Sequence, residues 1–330
     1  MLIEPVLITF NRAAFVGTTL KAFSAGGWSK RVFHVLDNSS TDNTREVVEA
    51  HQPEWPGLRY HRNRWNIGGN ANILRSVEIA QAEYHWVIGD DDAWTFDGAQ
   101  ELERVLAEGK ADIIRLGWLV SDASRGKYFD ACDLAMTEPF FFSSTSMISA
   151  TIIRRSLVTQ YLSEAYQDIS NSHPHLVPVL RAADSGEALV YTLSKDYMVH
   201  TPSSEPGYFF GDLERHAAWY RMAKHIIKRG ALRARFLREI SREATRRRRG
   251  RFEEHLWLTK VALNAKALGV PQGRYLLSML GDAAGVRAPV LLAAVAYMLL
   301  PQWVARPLRR FYRRLAGLPP SELRYDRTRI

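Results

Sequence analysis

The chain has 330 residues, 46% of them hydrophobic, and a formal net charge of +9. Its length allows about two domains, and its apolar content is typical of a globular protein. The single cysteine, Cys132, excludes an internal disulfide framework and fits a reducing compartment.

Short apolar runs alternate with amphipathic stretches through the first 120 residues. Strands are predicted over residues 2–10, 31–37, 58–62, 84–88 and 112–119. Helices are predicted between them, over residues 14–25, 42–51, 70–82 and 96–108. No cationic segment precedes an apolar stretch before the first strand, so we expect no signal peptide. The alternation predicts an α/β domain with a mostly parallel sheet, in which ligands bind beyond the carboxyl ends of the strands.

A change of composition follows these elements. A strand is predicted over residues 147–154, and one or two more over 189–200. The segment 201–211 is rich in proline, glycine and serine, which indicates a domain boundary and suits a mobile lid. We therefore predict a catalytic domain over residues 1–205 and a second, mostly α-helical region over residues 206–330.

The second region is strongly basic. Residues 1–200 hold 18 Lys and Arg against 25 Asp and Glu, a net charge of −7, whereas residues 201–330 hold 26 against 10, a net charge of +16. Helices are predicted there over residues 213–230, 231–249, 251–268 and 272–280. A basic region of this kind is expected to meet an anionic partner, either a nucleic acid or a lipid surface.

The end of the basic region favours a lipid surface. Residues 288–300 are strongly apolar but, at about 13 residues, too short to span a bilayer. Trp303 and the arginine- and aromatic-rich segment 306–314 follow them. Apolar insertion beside aromatic and arginine side chains suits an interfacial anchor on an anionic leaflet. The alternative is a buried C-terminal helix with a solvated basic tail.

Three consecutive aspartates, Asp90, Asp91 and Asp92, follow the predicted strand 84–88. Carboxylates this close oppose joint ionisation unless a cation neutralises them. Mg²⁺ and Mn²⁺ prefer oxygen ligands, and proteins typically share Mg²⁺ with substrate phosphates. The cluster therefore indicates a metal-bound phosphate ester at the end of a strand. The alternative is a solvated acidic loop that caps the helix starting near Phe96.

Four motifs in order resemble those of family 2 glycosyltransferases, which have the GT-A fold. They are VLITFNR over residues 6–12, DNSSTD over 37–42, NIGGNAN over 66–72 and YHWVIGDDD over 84–92. The last is close to the form seen in abequosyltransferase-like members, which assemble bacterial glycans. The resemblance covers about 200 residues and implies a GT-A catalytic domain, Rossmann-like with a mostly parallel central sheet.

The resemblance also implies a nucleotide pocket. The residues it assigns to the end of the first strand are Thr9, Phe10, Asn11 and Arg12. Asp37 is assigned a hydrogen bond from the nucleotide base, whereas a carboxylate that only balances a helix dipole better suits Asp42. Asn66 and Gly68 are assigned a close backbone approach to ribose or phosphate, with a simple turn before a helix as the alternative.

For the metal, the resemblance points to the aspartates. Asp90 and Asp92 match the two acids of the family's D-x-D motif, with Asp91 between them beside the nucleotide. Asp92 is expected to bind Mg²⁺ or Mn²⁺ directly, and Asp90 to contact ribose or the metal through water. The metal would neutralise the diphosphate leaving group. His200 matches a histidine that many members place near the metal or diphosphate, although a lone histidine is more often structural.

The sequence departs from the family where the catalytic base is expected. The usual Glu-Asp pair is absent from residues 166–176. His173 is the first candidate base, because an imidazole pKa lies near working pH. Asp168 is the carboxylate alternative and His175 a further one, while all three could merely cap the helix starting near Pro174. The departure leaves the expected inverting outcome open.

These features predict a metal-dependent hexosyl- or deoxyhexosyltransferase. We expect a nucleotide-sugar donor and a membrane-associated acceptor, a polyprenyl-diphosphate-linked glycan in bacterial surface polysaccharide (O-antigen) synthesis. We expect a peripheral, monotopic position at the cytoplasmic face of the inner membrane and no nucleic-acid partner. One alternative is a nucleic-acid-binding protein with a nucleotide-binding domain, allowed by arginine runs such as residues 246–249. Another is a sugar-phosphate nucleotidyltransferase, although we find no phosphate signature near the N-terminus.

Overall fold

The computed structural model describes part of the chain. The described residues are 2–169, 173–199, 219, 221–245, 263, 266–267, 292, 295–296 and 299–315. Two compact units divide the chain, one with residues 1–203 and 226–232 and the other with residues 204–225 and 233–330. The predicted lid 201–211 and arginine run 246–249 lie outside the described residues. The predicted domain boundary at residue 205 lies there too and stays a prediction.

The first unit is built on an eight-stranded sheet in the order β3-β2-β1-β4-β8-β6-β9-β7. Its strands are β1 (Ile3–Thr9), β2 (Phe33–Asp37), β3 (Leu58–Arg62), β4 (Tyr84–Ile88), β6 (Ile113–Arg115), β7 (Lys127–Asp130), β8 (Thr151–Arg154) and β9 (Leu189–Thr192). The first four strands are parallel, whereas β8 is antiparallel to both of its neighbours. A separate antiparallel pair joins β5 (Ala93–Trp94) to β10 (Met198–Val199).

Helices and 3₁₀ turns connect the strands of this unit. The α-helices are α1 (Ala13–Ala25), α2 (Thr44–His51), α3 (Gly69–Ile79), α4 (Ala99–Glu108), α5 (Ala131–Thr137), α6 (Phe141–Thr145), α7 (Arg155–Gln160), α8 (Leu162–Gln167) and α9 (Leu176–Ser185). The 3₁₀ turns are Trp28–Lys30, Asp122–Ser124 and Ile148–Ala150. The predicted α/β class with a mostly parallel central sheet is confirmed.

Several predicted elements are longer than those the structure contains, and in three of them the backbone shows why. The strand predicted over 112–119 ends at Arg115, and Gly117 then takes a φ of 86°, outside the range of extended backbone. The strand predicted over 147–154 begins with a 3₁₀ turn and is extended only from Thr151. The helix predicted from residue 96 starts at Ala99, because Phe96 has a φ of 58°.

An aromatic cluster fixes the segment that leaves β4. Phe23 of α1 lies 5.7 Å from Trp86 of β4 and 4.7 Å from Trp94 of β5, between ring centroids. Phe96 packs on Phe23 at 5.2 Å. Rings at these separations and tilts attract one another beyond their area burial. Since Trp86 precedes the three aspartates and Trp94 follows them, the cluster holds both ends of the acidic segment.

The second unit is described only in part. Its helices include most of Gly230–Thr245 and Gln302–Leu315, and Trp219 stacks on Phe236 at 5.5 Å. The helices predicted over 251–268 and 272–280 lie almost wholly outside the described residues, as does most of the apolar segment 288–300. Within the described part of the chain, no helix has the length and apolar character needed to cross a membrane.

Candidate active site

The carboxyl ends of β1, β2 and β4 meet at one edge of the sheet. β1 lies between β2 and β4, so the chain order reverses beside it, which is where open α/β sheets bind ligands. The backbone N–H of Asn38 donates to the carbonyl of Thr9 at 2.9 Å, which joins the ends of β1 and β2. The topology therefore brings the predicted nucleotide and metal residues to a common edge.

The three aspartates form an acidic turn, residues 89–92, that is held by the end of β1. Thr9 Oγ1 donates to Asp90 Oδ2 at 2.7 Å, and Thr19 Oγ1 donates to the Asp90 carbonyl at 3.0 Å. Arg12 Nη1 lies 2.9 Å from Asp90 Oδ1 and 3.1 Å from Asp91 Oδ2. Burial raises the pKa of Asp90 to about 7, although Arg12 and Thr9 act in the opposite direction. One guanidinium thus lies within ion-pair distance of two neighbouring carboxyl groups.

Gly89 makes room for the acidic turn to fold back. A Cβ at this position would lie 3.3 Å from Asp92 Oδ2 and 3.6 Å from Asp91 Oδ1. The Gly89 N–H donates to Ser149 Oγ at 2.9 Å, a buried partner 60 residues away that our sequence analysis missed. Asp91 Oδ1 and Asp92 Oδ2 therefore lie close to the Gly89 backbone, where a side chain would crowd them.

The acidic turn offers the oxygen donors that Mg²⁺ or Mn²⁺ prefers. Asp90 and Asp92 are both buried. No group of three His, Cys, Asp or Glu side chains is arranged around a metal position among the described residues. Mg²⁺ usually keeps several waters and takes only one or two protein carboxylates plus substrate phosphates, so a pair of carboxylates fits it. His200, the predicted third ligand, lies outside the described residues.

Asp37 is fully buried at the end of β2. Its Oδ1 accepts hydrogen bonds from the Ser40 N–H at 2.8 Å and from Ser40 Oγ at 2.5 Å. Its Oδ2 accepts from the Tyr60 hydroxyl, and Arg62 Nε lies 3.7 Å away. Burial and the Asp37 carboxylate together raise the pKa of Tyr60. These protein partners account for the Asp37 charge, so its contact with a nucleotide base stays a prediction.

Asn11 and Asp42 tie the turns after β1 and β2 together. Asn11 adopts a φ of 53°, its N–H donates to Ser40 Oγ at 2.8 Å, and its Oδ1 accepts from the Thr41 N–H at 2.7 Å. Asp42 accepts from the first N–H of α1, on Ala13, at 3.0 Å, and from the first of α2 at 3.2 Å. One carboxylate thus stabilises two helix N-termini, the role expected for Asp42.

Four asparagines are joined by side-chain hydrogen bonds, and we call them the asparagine network: Asn38, Asn63, Asn66 and Asn72. Asn38 Nδ2 donates to Asn66 Oδ1, and Asn63 Nδ2 donates to Asn38 Oδ1 and Asn72 Oδ1, each at 2.8 Å. Gly68, with a φ of 85°, follows the network and places its N–H on Asn66 Oδ1 at 2.9 Å. The sequence pointed to Asn66 and Gly68 but missed Asn63, whose only signal is a polar residue directly after a strand.

The base candidates lie in one segment, residues 168–175, which we call the base segment. Asp168 ends α8, and His173 and His175 precede α9 with ring centroids 5.7 Å apart. Nε2 of His175 is 2.9 Å from the Ser146 carbonyl, and burial lowers the His175 pKa to about 4. Asn70 Nδ2, at the start of α3, donates to the carbonyl of Ile169 at 2.9 Å, which ties the segment to the asparagine side of the site.

Comparisons with known sequences find a family to which part of this chain is similar. The family model described as glycosyl transferase family 2 matches residues 6–153. Abequosyltransferase RfbV of Salmonella typhimurium is 31% identical over 120 residues, which are 34% of this chain and 34% of that protein. The match therefore spans about a third of this curated relative.

Solved structures give the fold. TarS of S. aureus, in complex with UDP-GlcNAc, superposes with a TM-score of 0.56 at 16% identity, covering 97% of this chain and 93% of that one. Mannosyltransferase PcManGT from Pyrobaculum calidifontis, in complex with GDP-Man and Mn²⁺, gives 0.52 at 14% identity, covering 94% and 86%. At these identities the likeness carries the fold alone, and the predicted GT-A architecture is confirmed.

Proposed function

We propose that this chain, whose residues 6–153 form a family 2 glycosyltransferase domain, transfers a hexosyl or deoxyhexosyl group from a nucleotide-sugar to a polyprenyl-diphosphate-linked glycan. The reaction would serve bacterial surface polysaccharide synthesis, including O-antigen. The observation that carries the proposal is the acidic turn held against Arg12 at the switch point of the parallel sheet. A nucleotide diphosphate bound there would lie beside Arg12 and beside the carboxylates that would hold a cation.

The nucleotide would bind beside β1 and the asparagine network. Phe10 and Asn11 follow β1 at this edge. Phe10 is half-buried and Asn11 is exposed. Thr9 is turned toward Asp90, so we assign it to positioning the acidic turn. Arg12 has a planar guanidinium suited to bidentate contact with phosphate oxygens. It therefore has two partners to exchange between, the carboxylates of the acidic turn and the donor diphosphate.

We assign Asp92 and Asp90 to holding Mg²⁺ or Mn²⁺, with Asp91 neutralised by Arg12 and His200 as a further ligand. When bound, the metal supplies Lewis-acid neutralisation of the diphosphate leaving group. Thr9 and Arg12 keep the Asp90 carboxyl in place before any ligand arrives, and Thr19 holds the Asp90 backbone carbonyl. A group held in position in advance needs no reorganisation when charge develops on the leaving group.

On the acceptor side we assign His173 as the base. His175 is the weaker candidate, because its Nε2 already meets a carbonyl and its low pKa keeps it neutral and weakly basic. His173 would take the proton of the acceptor hydroxyl while the acceptor oxygen bonds to the anomeric carbon. The bond from that carbon to the diphosphate oxygen breaks at the same time, which inverts the configuration. Asp168 is the carboxylate alternative for the same proton.

We further propose a peripheral position on the cytoplasmic face of the inner membrane. In the helix Gln302–Leu315, Trp303, Phe311 and Leu315 are 76%, 63% and 73% exposed. Arg310 and Arg314 are exposed on the same helix. Exposed apolar side chains beside arginines are typical of helices that lie in the interface of an anionic leaflet.

Thermal shift with a panel of sugar nucleotides, with and without Mn²⁺, tests the proposal, because a specific ligand stabilises a protein by mass action. We expect one donor to raise the unfolding temperature, and more strongly with Mn²⁺. Asp92→Ala should abolish both the Mn²⁺-dependent part and transfer. The matched control is Asp97→Ala, which removes an exposed aspartate five residues further on and should leave both unchanged. Full turnover by Asp92→Ala would remove the metal assignment.

A further inference from the structure

The loop after β3 exposes two large apolar side chains that the fold does not use. Trp65 is 66% exposed, more than any other large hydrophobic residue among those described in the first unit. Ile67 is 40% exposed, and the two flank Asn66. Single exposed apolar residues are ordinary, whereas two large ones within three residues of one loop mark it as a candidate interaction surface.

The asparagine network holds this loop in place. The N–H of Ile67 donates to Asn38 Oδ1 at 3.0 Å, and Asn38 donates in turn to Asn66 Oδ1 at 2.8 Å. Gly68 closes the loop with its N–H on Asn66 Oδ1. Asn66 is thus held by two hydrogen bonds, and the bonded N–H of Ile67 fixes the backbone beside it. Trp65 and Ile67 are therefore exposed on a loop that is held in place next to them.

The charge of the loop is opposite to that of the unit that carries it. Residues 58–77 contain four arginines and no Asp or Glu, whereas residues 1–200 carry a net charge of −7. Arg62 and Arg64 are exposed, and the Arg64 guanidinium lies 5.0 Å from the Trp65 ring centroid. The apolar pair therefore sits within a local positive patch that is suited to an anionic surface.

We propose that residues 62–67, the arginine–tryptophan loop, dock on an anionic lipid bilayer. Trp65 and Ile67 would enter the headgroup region and Arg64 would bind lipid phosphates, while Arg62, held beside Asp37 and Ser40, adds positive charge nearby. The loop follows β3, whose carboxyl end lies at the same sheet edge as the acidic turn. Docking would turn that edge toward the leaflet that holds a lipid-linked acceptor, so the inference rests on the proposed function.

The patch is a poor fit to a protein partner. A stable protein interface buries at least about 1,000 Å², far more than two side chains offer. A bilayer needs no such area, because each inserted side chain and each arginine near the surface contributes separately. Arginine also keeps its charge while its stem lies along apolar groups, which suits the flanks of an inserted tryptophan.

Vesicle binding by the full chain tests the loop. The vesicles are phosphatidylcholine with about 30% phosphatidylglycerol, compared with pure phosphatidylcholine. The background variant Trp303→Ser/Phe311→Ser removes the apolar contacts assigned to the C-terminal helix, so that the loop is measured alone. In that background, Trp65→Ser/Ile67→Ser should weaken binding at least about tenfold. Arg62→Gln/Arg64→Gln should weaken it about thirtyfold at low salt and less at high salt.

The matched control is Leu2→Ser/Met136→Ser, which removes two apolar residues with 39% and 36% exposure outside the loop. It should bind vesicles like the background protein. Unchanged vesicle affinity in the Trp65/Ile67 variant would overturn the inference. If the variant also loses the thermal shift by sugar nucleotides, the result would make Trp65 a nucleotide contact instead. Loop-dependent vesicle binding without any sugar-nucleotide shift in the wild type would support the lipid contact and refute the transferase proposal.

Discussion

Replacing Thr9 with valine should loosen the acidic turn without changing the size of the side chain. Thr9 is buried, and its Oγ1 donates to Asp90 Oδ2 at 2.7 Å. A hydrogen bond contributes about 0.5–1.5 kcal/mol with a neutral partner and about 1.5–3 kcal/mol with a charged one, and valine leaves no cavity. With its pKa raised to about 7, Asp90 is only partly ionised near neutral pH, and it keeps Arg12 as a partner. We therefore expect Thr9→Val to lower the free energy of unfolding by about 1–2 kcal/mol.

Urea titration followed by circular dichroism measures this change, and the Mn²⁺-dependent thermal shift reports on the acidic turn. The control is Thr18→Val, which removes an exposed hydroxyl that only bonds within α1, to the Ala14 carbonyl at 3.0 Å. The control should stay within about 0.5 kcal/mol of the wild type. If Thr9→Val matches the control in both measurements, the hydroxyl does not position Asp90 and the assignment of Thr9 is wrong.

Three further predictions concern other parts of the first unit. His173→Ala should cost far more transfer activity than His175→Ala in steady-state assays, and equal losses would count against His173 as base. Burial lowers the pKa of His85 to about 4 from 6.5, so the native state binds fewer protons than the unfolded state in this window. The contribution of His85 to the free energy of unfolding should fall by up to about 1.4 kcal/mol per pH unit as pH drops from about 6.5 to 4, so the stability difference between the wild type and His85→Gln should change with pH across this window. Gly57→Ala places a Cβ 2.2 Å from a backbone oxygen and should destabilise by about 1–3 kcal/mol or more, whereas Gly69→Ala, with open space around it, should not. Thermal unfolding of both glycine variants checks the difference.

Strands β2 and β4 were predictable because every residue in them is buried, and such strands read as short apolar runs between turn residues. β3 lies at the sheet edge with Arg59 and Arg62 exposed, yet its bounds, like those of β4, agree with the prediction residue for residue. Strands joined by right-handed strand–helix–strand connections run parallel, so their carboxyl ends were expected at one shared edge of the sheet. Fold class and the neighbourhood of Asp37, Asn66 and Asp90 could thus be predicted from local pattern.

The contacts that hold the site could not be predicted in that way. Ser149 bonds to Gly89 across 60 residues, and Thr9 bonds to Asp90 across 81. Serine and threonine are common and carry no periodic signal that distinguishes a partner of the acidic turn from any other hydroxyl. The asparagine network, which joins positions 25 and 9 residues apart, could not be predicted for the same reason. Such pairings are decided by how the strands and loops meet, which a local pattern does not contain.

The contacts described for the acidic turn and for the base segment involve different residues, and this bears on why one side of the site resembles the family motif and the other departs from it. The acidic turn depends on Thr9, Arg12 and Ser149, together with the aromatic cluster around Phe23. The base segment is attached by Asn70 to Ile169 and by His175 to Ser146. A substitution at His175 therefore removes none of these contacts of the acidic turn. Chemistry placed on loops around a fixed scaffold varies at little cost to the fold. The missing Glu-Asp pair is then compatible with the proposed nucleotide and metal side, and we expect the proposed base, His173, to act without changes at the acidic turn.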